Sequence, residues 1–510
     1  MKFSLLYKTP EQSDYSTLSD MREAIYNLSV DRLLNAVCTD EARAETVLKV
    51  LSRPLHLEEN ISYRQEIVDN FTRQPQLLFE LKRLFRRYDT IRTDWGEMRS
   101  NVHPYGASVS YKALMEYTFD LLKVSSKFAR MIAGYFKSAF EILDKYELTA
   151  PGLLAIKDYC VEMINNDSLN EVVEIATLFT LYAPPQYEFT VMAGMDDTMR
   201  VTSCELIHIE ELEKLAKERK LWNVVKNLKN RGDREPEYNL GNGLIDDANF
   251  LLNEALFRMY TVMTEVTEYV YDMFYGLSDE LTFYEGALDY INYLRRNHVT
   301  YCVPRIRPHE AEVFNADGLY DCLLLVEGKT RDTIVTNSVR LSGAEIGILI
   351  RGNNSTGKTV YLRSIGTAQI MSQAGLPVCA RRASISMRNA IFTQFSSAEK
   401  DFVVGDTAGR FEGEVQEVAH IIDNIKPHSL VLFNETFQTT AYVEGARGIF
   451  DILNVFPRIG VKFIFVTRMT KLFEMCYHTD IKLMESGEGA DDYYKIRPVE
   501  IPEETAAAAE

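Results

Sequence analysis

Hydrophobic positions follow one spacing before about residue 305 and another spacing after it. In the first part, apolar residues recur at steps of three and four, as in amphipathic helices, and Pro and Gly are sparse. The two longest such stretches are residues 111–146 and 248–296. Helices of that length usually serve as levers, coiled-coil arms or packed bundles. Between them, β-rich segments on either side of a turn that begins at Gly194 predict a small β insertion near residues 183–210.

After residue 305, short continuous apolar runs alternate with helix-sized segments. The runs predicted as strands are residues 322–326, 346–350, 429–433 and 462–466, and the predicted helices are 359–374, 411–425 and 444–456. This alternation is typical of a sheet with helices on both faces. We therefore predict a multidomain protein, with a mostly helical core and lever region at residues 1–304 and an α/β domain at residues 305–510.

A phosphate-binding sequence lies at the start of one predicted helix. The candidate residues for nucleotide binding are Gly352, Asn353, Asn354, Ser355, Thr356, Gly357, Lys358 and Thr359, which read G-x-x-x-x-G-K-T, together with Val360. In such a loop glycines allow a tight turn, Lys reaches the β- and γ-phosphates, and the hydroxyl holds Mg²⁺. A chance match is disfavoured, because a predicted strand precedes the loop and a helical pattern follows it. The loop predicts binding of a nucleoside triphosphate.

A second part of the same site follows about 75 residues later, where the apolar run 430–433 leads into Asn434 and Glu435. P-loop enzymes usually carry an Asp at the first position, which orients the Mg²⁺ shell, and in several branches a Glu at the second, which polarises water. We therefore predict Glu435 as the catalytic residue and Thr359 and Asn434 as metal ligands. Asn434 brings no negative charge, so metal affinity and hydrolysis should both be lowered. The alternative is that these two residues merely end a buried strand.

Composition limits the partners and the compartment. The 510 residues suggest two to four domains, and the net charge of −18 argues against a broad electrostatic grip on DNA. A local cationic cluster occurs at residues 82–87 with Arg92, and its helical spacing is also that of an ordinary solvated face.

Seven scattered cysteines without a C-x-x-C pair fit reduced thiols in a cytosolic protein, and no histidine cluster indicates zinc. Neither a secretory signal nor a membrane helix is predicted, so we expect a soluble, cytoplasmic protein.

Taken together, these segments resemble the MutS family of DNA mismatch repair ATPases, whose nucleotide domain is of the ABC type. Residues 352–363 are similar to the family's G-P-N-M-G-G-K-S-T-Y-x-R, 391–393 match its I-F-T run, and 414–435 align with its helix and strand ending in Asp-Glu. The positions in register within the loop are Asn354, Gly357, Lys358, Tyr361 and Arg363. The resemblance covers about residues 30–500. It implies ATP and Mg²⁺ as cofactors, a homodimer formed through the ATPase domains, and DNA, branched or mismatched, as a candidate partner.

The chain also departs from that family. We expect no room for the family's N-terminal mismatch-recognition and connector domains or for its C-terminal helix-turn-helix. Residues 436–440 replace its signature loop, Gly409-Arg410 stand at the Ser-Thr of the trans-acting loop, and Arg468 stands where a switch His is usual. These changes imply retained nucleotide binding with weakened hydrolysis. Arg410 and Arg468 are either new cations for the γ-phosphate or ordinary surface and helix-cap residues.

Two functions follow from these features. The first is a MutS-like ATP-binding protein, a DNA-binding ATPase of the mismatch repair type with weakened hydrolysis. The alternative is a nucleotide-gated interaction scaffold without DNA binding or significant ATPase activity.

Overall fold

The computed structural model describes residues 3–8, 21–102, 111–181, 187–195, 201–211, 242–395, 407–437, 442–489 and 492–499. The helices in chain order are α1 Arg22–Asn27, α2 Val30–Val37, α3 Glu41–Leu51, α4 Glu58–Arg73, α5 Pro75–Ser100, α6 Tyr111–Asp144, α7 Pro151–Ile164, α8 Asp167–Leu181, α9 Asn242–Phe274, α10 Leu277–Arg296, α11 Leu323–Val326, α12 Lys358–Gln373, α13 Thr407–Asn424, α14 Tyr442–Val455 and α15 Thr470–Met475. The strands are β1 Tyr187–Met195, β2 Val201–Glu211, β3 Arg305–Arg307, β4 Phe314–Leu319, β5 Asn337–Leu341, β6 Gly347–Arg351, β7 Arg382–Ser386, β8 Ile391–Phe395, β9 Leu430–Asn434, β10 Lys462–Thr467, β11 Ile481–Ser486 and β12 Ile496–Pro498.

Two compact units make up the chain. Unit 1 comprises Met1–Phe3, Phe79–Glu147 and Leu154–Ser278, and unit 2 comprises Ser4–Leu78, Leu148–Leu153 and Asp279–Glu510. Unit 1 is mostly helical and contains the antiparallel pair β1 and β2. Unit 2 contains two sheets and the helices that pack on them. None of the described helices is long and apolar enough to cross a membrane.

In unit 1, aromatic side chains fix α5 and α6 side by side in antiparallel directions. Trp95 stacks on Phe128 with ring centroids 4.9 Å apart. At the other end of the helix pair, the Lys145 ammonium lies 2.7 Å from a Glu80 carboxylate oxygen. Because buried aromatic rings bring a large apolar area out of water, this contact contributes much of the packing between the two helices.

The predicted helix at 248–296 is two helices, α9 and α10, so a single helix was wrong. The break falls at Gly276, which has φ = +87°. The backbone N–H of Gly276 donates to the Asp89 side chain at 3.2 Å instead of continuing the helical ladder. A left-handed glycine is a common way to end a helix, because glycine has no Cβ that would clash there.

Unit 2 is built around a six-stranded sheet in the order β12-β11-β6-β10-β9-β8, and a four-stranded sheet in the order β3-β7-β4-β5. In the larger sheet all pairs are parallel except β11 with β12. Its central strands are buried on both faces, as their continuous apolar sequences require. At Gly347 in β6 an added Cβ would come 2.6 Å from the ring of Phe463, so this glycine makes room for a core aromatic side chain.

The helix behind the phosphate loop, α12, is buried along most of its length. An added Cβ at Gly366 would lie 2.6 Å from Leu28 and 2.7 Å from Leu432, so the helix fits closely between β9 and an N-terminal residue. The side-chain amide of Gln373 also donates to the Leu55 carbonyl at 3.0 Å. The N-terminal helices therefore complete the core around α12.

One predicted strand is wrong, because residues 322–326 form the short helix α11. The Asp321 carboxylate accepts the backbone N–H of Leu323 at 3.0 Å and pairs with Arg363. Burial raises the pKa of Asp321, and the Arg363 guanidinium opposes that rise. A short buried apolar run does not distinguish strand from helix, and here the buried Asp decides the outcome.

The boundaries between the two compact units differ from the predicted domain boundary at residue 304, and the last of them lies between Ser278 and Asp279. Helix α10 lies in unit 2 because Arg43 of α3 pairs with Glu285 at 3.3 Å and with Asp289 at 3.0 Å, and Phe71 of α4 contacts Tyr284. The domain assignment as such stays a prediction. The β insertion near 183–210 is present as β1 and β2, whereas its turn at 196–200 and the tail at 503–510 lie outside the described residues.

Candidate nucleotide-binding site

The phosphate-loop sequence lies between the end of β6 and the start of α12, as the sequence predicts. Two of its residues need glycine. Gly352 has φ = +153°, and an added Cβ there would collide with the Ser486 hydroxyl oxygen. Gly357 has φ = +85°, and an added Cβ would come 2.9 Å from the ring of Tyr494. The turn therefore depends on both glycines, and β11 and residue 494 limit the space around it.

Lys358 is the first residue of α12 and is only 4% exposed. Its ammonium folds over the loop and donates to the Asn353 carbonyl at 2.5 Å. Burial lowers the pKa of Lys358, while the nearby Glu435 carboxylate favours the charged form. Because burial disfavours the charged ammonium, an anionic ligand bound at the loop would stabilise it.

The two predicted metal ligands meet at the base of the loop. The Thr359 hydroxyl donates to the Asn434 side-chain carbonyl oxygen at 3.0 Å, although 75 residues separate them. Neutral oxygens of this kind suit Mg²⁺, which also keeps several waters and binds substrate phosphates. Within the described ranges no group of three or more His, Cys, Asp or Glu side chains could hold a metal ion, so a Mg²⁺ site here depends on these oxygens and on the ligand.

Glu435 follows directly and adopts a left-handed backbone conformation with φ = +59°. Its carboxylate lies 3.7 Å from the Arg468 guanidinium, which follows the end of β10. The structure thus brings Arg468, which the sequence analysis singled out as a replacement for a switch His and a candidate cation for the γ-phosphate, next to the predicted catalytic residue. The side chain of Arg410 lies outside the described residues.

The segment after Glu435 is held by polar contacts that the sequence did not reveal. The Thr436 hydroxyl donates to the side-chain oxygen of Gln394, and the Glu414 carboxylate accepts the backbone N–H of Phe437 at 2.7 Å. On the other side of the phosphate loop, the Thr356 and Ser486 hydroxyl oxygens lie 2.7 Å apart. These partners are distant in the sequence, so only their strand-end positions could have indicated them.

A cavity of about 180 Å³ adjoins the phosphate loop. Its lining is largely apolar and aromatic, and includes Tyr320, Leu324, Val335, Val360, Tyr361 and Tyr494. A planar ring fits such a lining, because aromatic and aliphatic side chains can contact both of its faces. A wider cavity of about 660 Å³ lies elsewhere, beside α1, β8 and α13, and none of the predicted site residues lines it.

A strand, a glycine-rich loop and a buried helix in this order define a P-loop domain of the α/β class. The model of the family described as MutS domain V matches residues 348–486. DNA mismatch repair protein MutS of Streptococcus equi subsp. equi is 34% identical over 144 residues, which is 28% of this chain and 16% of that protein. MutS of Synechococcus elongatus is 28% identical over 240 residues, 44% of this chain and 26% of that protein. Endonuclease MutS2 of Clostridium botulinum is 30% identical over 163 residues, 31% of this chain and 20% of that protein.

Residues 348–486 thus match MutS domain V, and the similarity to MutS proteins includes this part of the chain. The chain spans about a quarter or less of the length of these three relatives. The matched region includes β6, the phosphate loop, Asn434, Glu435 and Arg468.

Replacing Gly352 by alanine should lower nucleotide affinity at least about tenfold, because the new Cβ would displace Ser486 and distort the loop. Calorimetric titration with Mg-ATP measures the affinity. Gly343→Ala is the matched control, since its Cβ would meet its nearest neighbour, the Ala311 carbonyl oxygen, at an ordinary 3.5 Å. Equal affinities for the two variants would show that the loop does not need glycine at 352.

Proposed function

We propose that this protein binds ATP with Mg²⁺ at the loop of residues 352–359, and that nucleotide binding, more than rapid turnover, is its function. The contact between Thr359 and Asn434 at 3.0 Å is the observation that supports this most directly. It joins the hydroxyl at the end of the phosphate loop to the strand end where P-loop proteins hold the metal shell. The apolar cavity beside the loop would take the base.

The residues around the loop argue for weak metal binding. Thr359 and Asn434 are both neutral, and Glu435, the next residue, already faces a cation, Arg468. Bound Mg²⁺ would supply charge neutralisation between the β- and γ-phosphates. Because neither predicted ligand contributes a negative charge, that ion should bind less tightly than at a site with Asp in place of Asn434.

The position of Glu435 argues for slow hydrolysis. A general base must reach a water near the γ-phosphate, and its pKa must let it accept a proton. Here the Glu435 carboxylate lies 3.7 Å from the Arg468 guanidinium, so it already faces a cation instead of being directed at a water. Arg468 itself is half-exposed. We propose Glu435 as the catalytic residue of a slow ATPase.

The wider role follows from the family. MutS and MutS2 relatives are named as a DNA mismatch repair protein and an endonuclease. By analogy we propose a cytoplasmic protein that forms a homodimer through its ATPase domains, binds DNA, and uses the bound γ-phosphate as a switch that orders nearby loops. The alternative is a nucleotide-gated scaffold without DNA binding, which the neutral Asn434 and the net charge of −18 favour.

Calorimetry of the full chain with Mg-ATP should register binding, and an ATPase assay should give a turnover below about one per second, slower than typical enzymes. Light scattering on the same samples measures the molecular mass and so tests the dimer. Repeating the ATPase assay with and without duplex DNA tests whether DNA affects the protein. Absence of any binding heat on folded protein would overturn the proposal. Binding of ATP with no DNA response would leave the scaffold as the function.

A further inference from the structure

A row of cations lies along one exposed face of α6 in unit 1. Its members are Lys123, Lys127, Arg130 and Lys137, and all four are exposed. With about 100° of rotation per residue, these positions fall within an arc of roughly 80° on the side opposite the buried residues of the helix. Gly134 lies in the same row, and an added Cβ there would meet nothing within 4 Å. The face is therefore open as well as basic.

These cations are not used to hold the fold together. Lys123, Arg130 and Lys137 make no hydrogen bond or ion pair with any residue that the structure describes. Within the described ranges, the ammonium of Lys127 donates only to the Met98 sulfur, at 3.5 Å. By contrast, Lys145 at the end of the same region pairs with Glu80 at 2.7 Å. The row thus offers charge that no described carboxylate pairs with.

Helix α5 extends this surface with part of the cationic cluster noted in the sequence. Arg83, Arg86 and Arg87 are exposed and likewise make no ion pair within the described part of the chain. Arg83 and Arg87 line a groove of about 280 Å³ against α6, together with Ser138 of that helix. Part of the cluster at 82–87 thus faces a groove that residues of α6 also line.

Carboxylates limit the extent of the surface. Glu80 and Glu141 line the same groove, and Glu80 is already engaged by Lys145 and Tyr146. Exposed Asp94 lies farther along α5. On these two helices the cations farthest from the groove carboxylates are therefore those between residues 123 and 137 of α6, whereas Arg83 lies near Glu80.

We infer that this two-helix face, which we call the α5–α6 basic face, binds the phosphate backbone of double-stranded nucleic acid. Lys123 and Lys137 are 14 residue steps apart, which is about 21 Å of helix at about 1.5 Å per residue. Duplex DNA presents one negative charge per about 1.7 Å of axis, so several phosphates lie within reach of such a row. A long, open, linear row suits an extended polyanion better than a small anion, which needs a concave site.

The inference rests on the DNA-binding part of the proposed function and does not involve the nucleotide site. Because the net charge of −18 opposes DNA binding by the chain as a whole, binding requires a local basic surface such as this one. Contacts of this kind are independent of base sequence. The face should therefore bind duplexes of any sequence, with affinity that falls steeply as salt rises.

The test compares the full chain with the variant K123Q/K127Q/R130Q. Binding to a fluorescent duplex of about 30 base pairs is measured between about 50 and about 200 mM salt, where counterion release makes affinity fall steeply. The variant should bind roughly a hundredfold more weakly at 0.1 M salt, and the slope of log affinity against log salt should fall by about three. The matched control K49Q/R296Q/R458Q removes the same charge from three exposed cations of unit 2 and should bind like the parent chain.

Each outcome decides the matter. If the two triple variants bind DNA equally well, the inference that the α5–α6 basic face binds DNA is wrong, whereas the proposal that the protein binds DNA still stands. Absence of duplex binding by the parent at about 50 mM salt, where phosphate contacts are strong, would overturn both the basic face and the proposed DNA binding. Binding to polyglutamate but not to DNA would overturn the inference and indicate an acidic polypeptide as the partner. Mg-ATP calorimetry on the same proteins separates these results from failure of the nucleotide site. Should the α6 variant misfold, R83Q/R87Q on α5 carries the test, with an expected loss of roughly tenfold.

Discussion

Lys358→Ala is expected to abolish measurable ATP binding, with a loss of at least about a hundredfold in affinity. Charge-assisted hydrogen bonds contribute about 1.5–3 kcal/mol each, and this ammonium would contact two phosphate groups. The side chain is buried over the loop, where it donates to a loop carbonyl, so water would not replace it well. Titration calorimetry with Mg-ATP gives the affinity directly.

Two controls show that the loss is local. Lys471→Ala removes a half-exposed lysine of unit 2 that pairs with Glu474, and it should leave ATP affinity unchanged. The free energy of unfolding of Lys358→Ala should stay within about 1 kcal/mol of the parent value, because removing a buried cation also removes its desolvation cost. Unchanged ATP affinity in a folded Lys358→Ala protein would refute the site assignment.

Asn434→Asp should raise Mg²⁺-dependent ATP hydrolysis about tenfold or more, as long as the other parts of the site are competent. The substitution places a carboxylate where Asn434 now lies, 3.0 Å from the Thr359 hydroxyl, and a charged oxygen binds Mg²⁺ more tightly than an amide oxygen. Steady-state phosphate release, measured as a function of Mg²⁺ concentration, should show both a higher maximal rate and a lower Mg²⁺ requirement.

The same variant has a signature in stability. Asn434 is 5% exposed, so a carboxylate at this position is destabilising unless a cation accompanies it. Thermal unfolding should therefore show a lower Tm for Asn434→Asp without Mg²⁺ and ATP, and a larger recovery than the parent when both are added. No gain in hydrolysis would instead indicate that Arg468, or the changed loop at 409–410, limits turnover, and the double variant Asn434→Asp/Arg468→Ala separates the two.

Much of the candidate site could be predicted from the sequence because its parts are local. The strand, loop and helix around residues 352–359 are contiguous, and the strand leading to Asn434 ends at a fixed distance from them in the family pattern. Parallel strands bring their carboxyl ends to one edge of the sheet, and only β10 lies between β6 and β9, so the contact between Thr359 and Asn434 is compatible with the topology. The contacts of Ser486 and Tyr494 with the loop come from residues more than 100 positions away, and no local pattern marks them.

The fold was harder to predict where tertiary contacts decide it. Residues 322–326 have the composition of a strand, yet the buried pair of Asp321 with Arg363 starts a helix there. The region 279–304 reads as one more helical segment of the first part, yet ion pairs with Arg43 place α10 in unit 2. Periodicity describes which face of a segment is buried, but not against which partner.

The close fit of α12 against Leu28 and Leu55 affects how the nucleotide-binding half can be handled in isolation. A fragment cut at residue 305 would lose the residues that cover Gly366 and the acceptor for Gln373, and would expose that side of a buried helix to solvent. Because the phosphate loop leads directly into α12, its shape depends on residues near the N-terminus that pack on this helix. A recombinant fragment that keeps the phosphate loop in its folded shape therefore needs about the first eighty residues as well as about the last two hundred, because unit 2 is built from both ends of the chain.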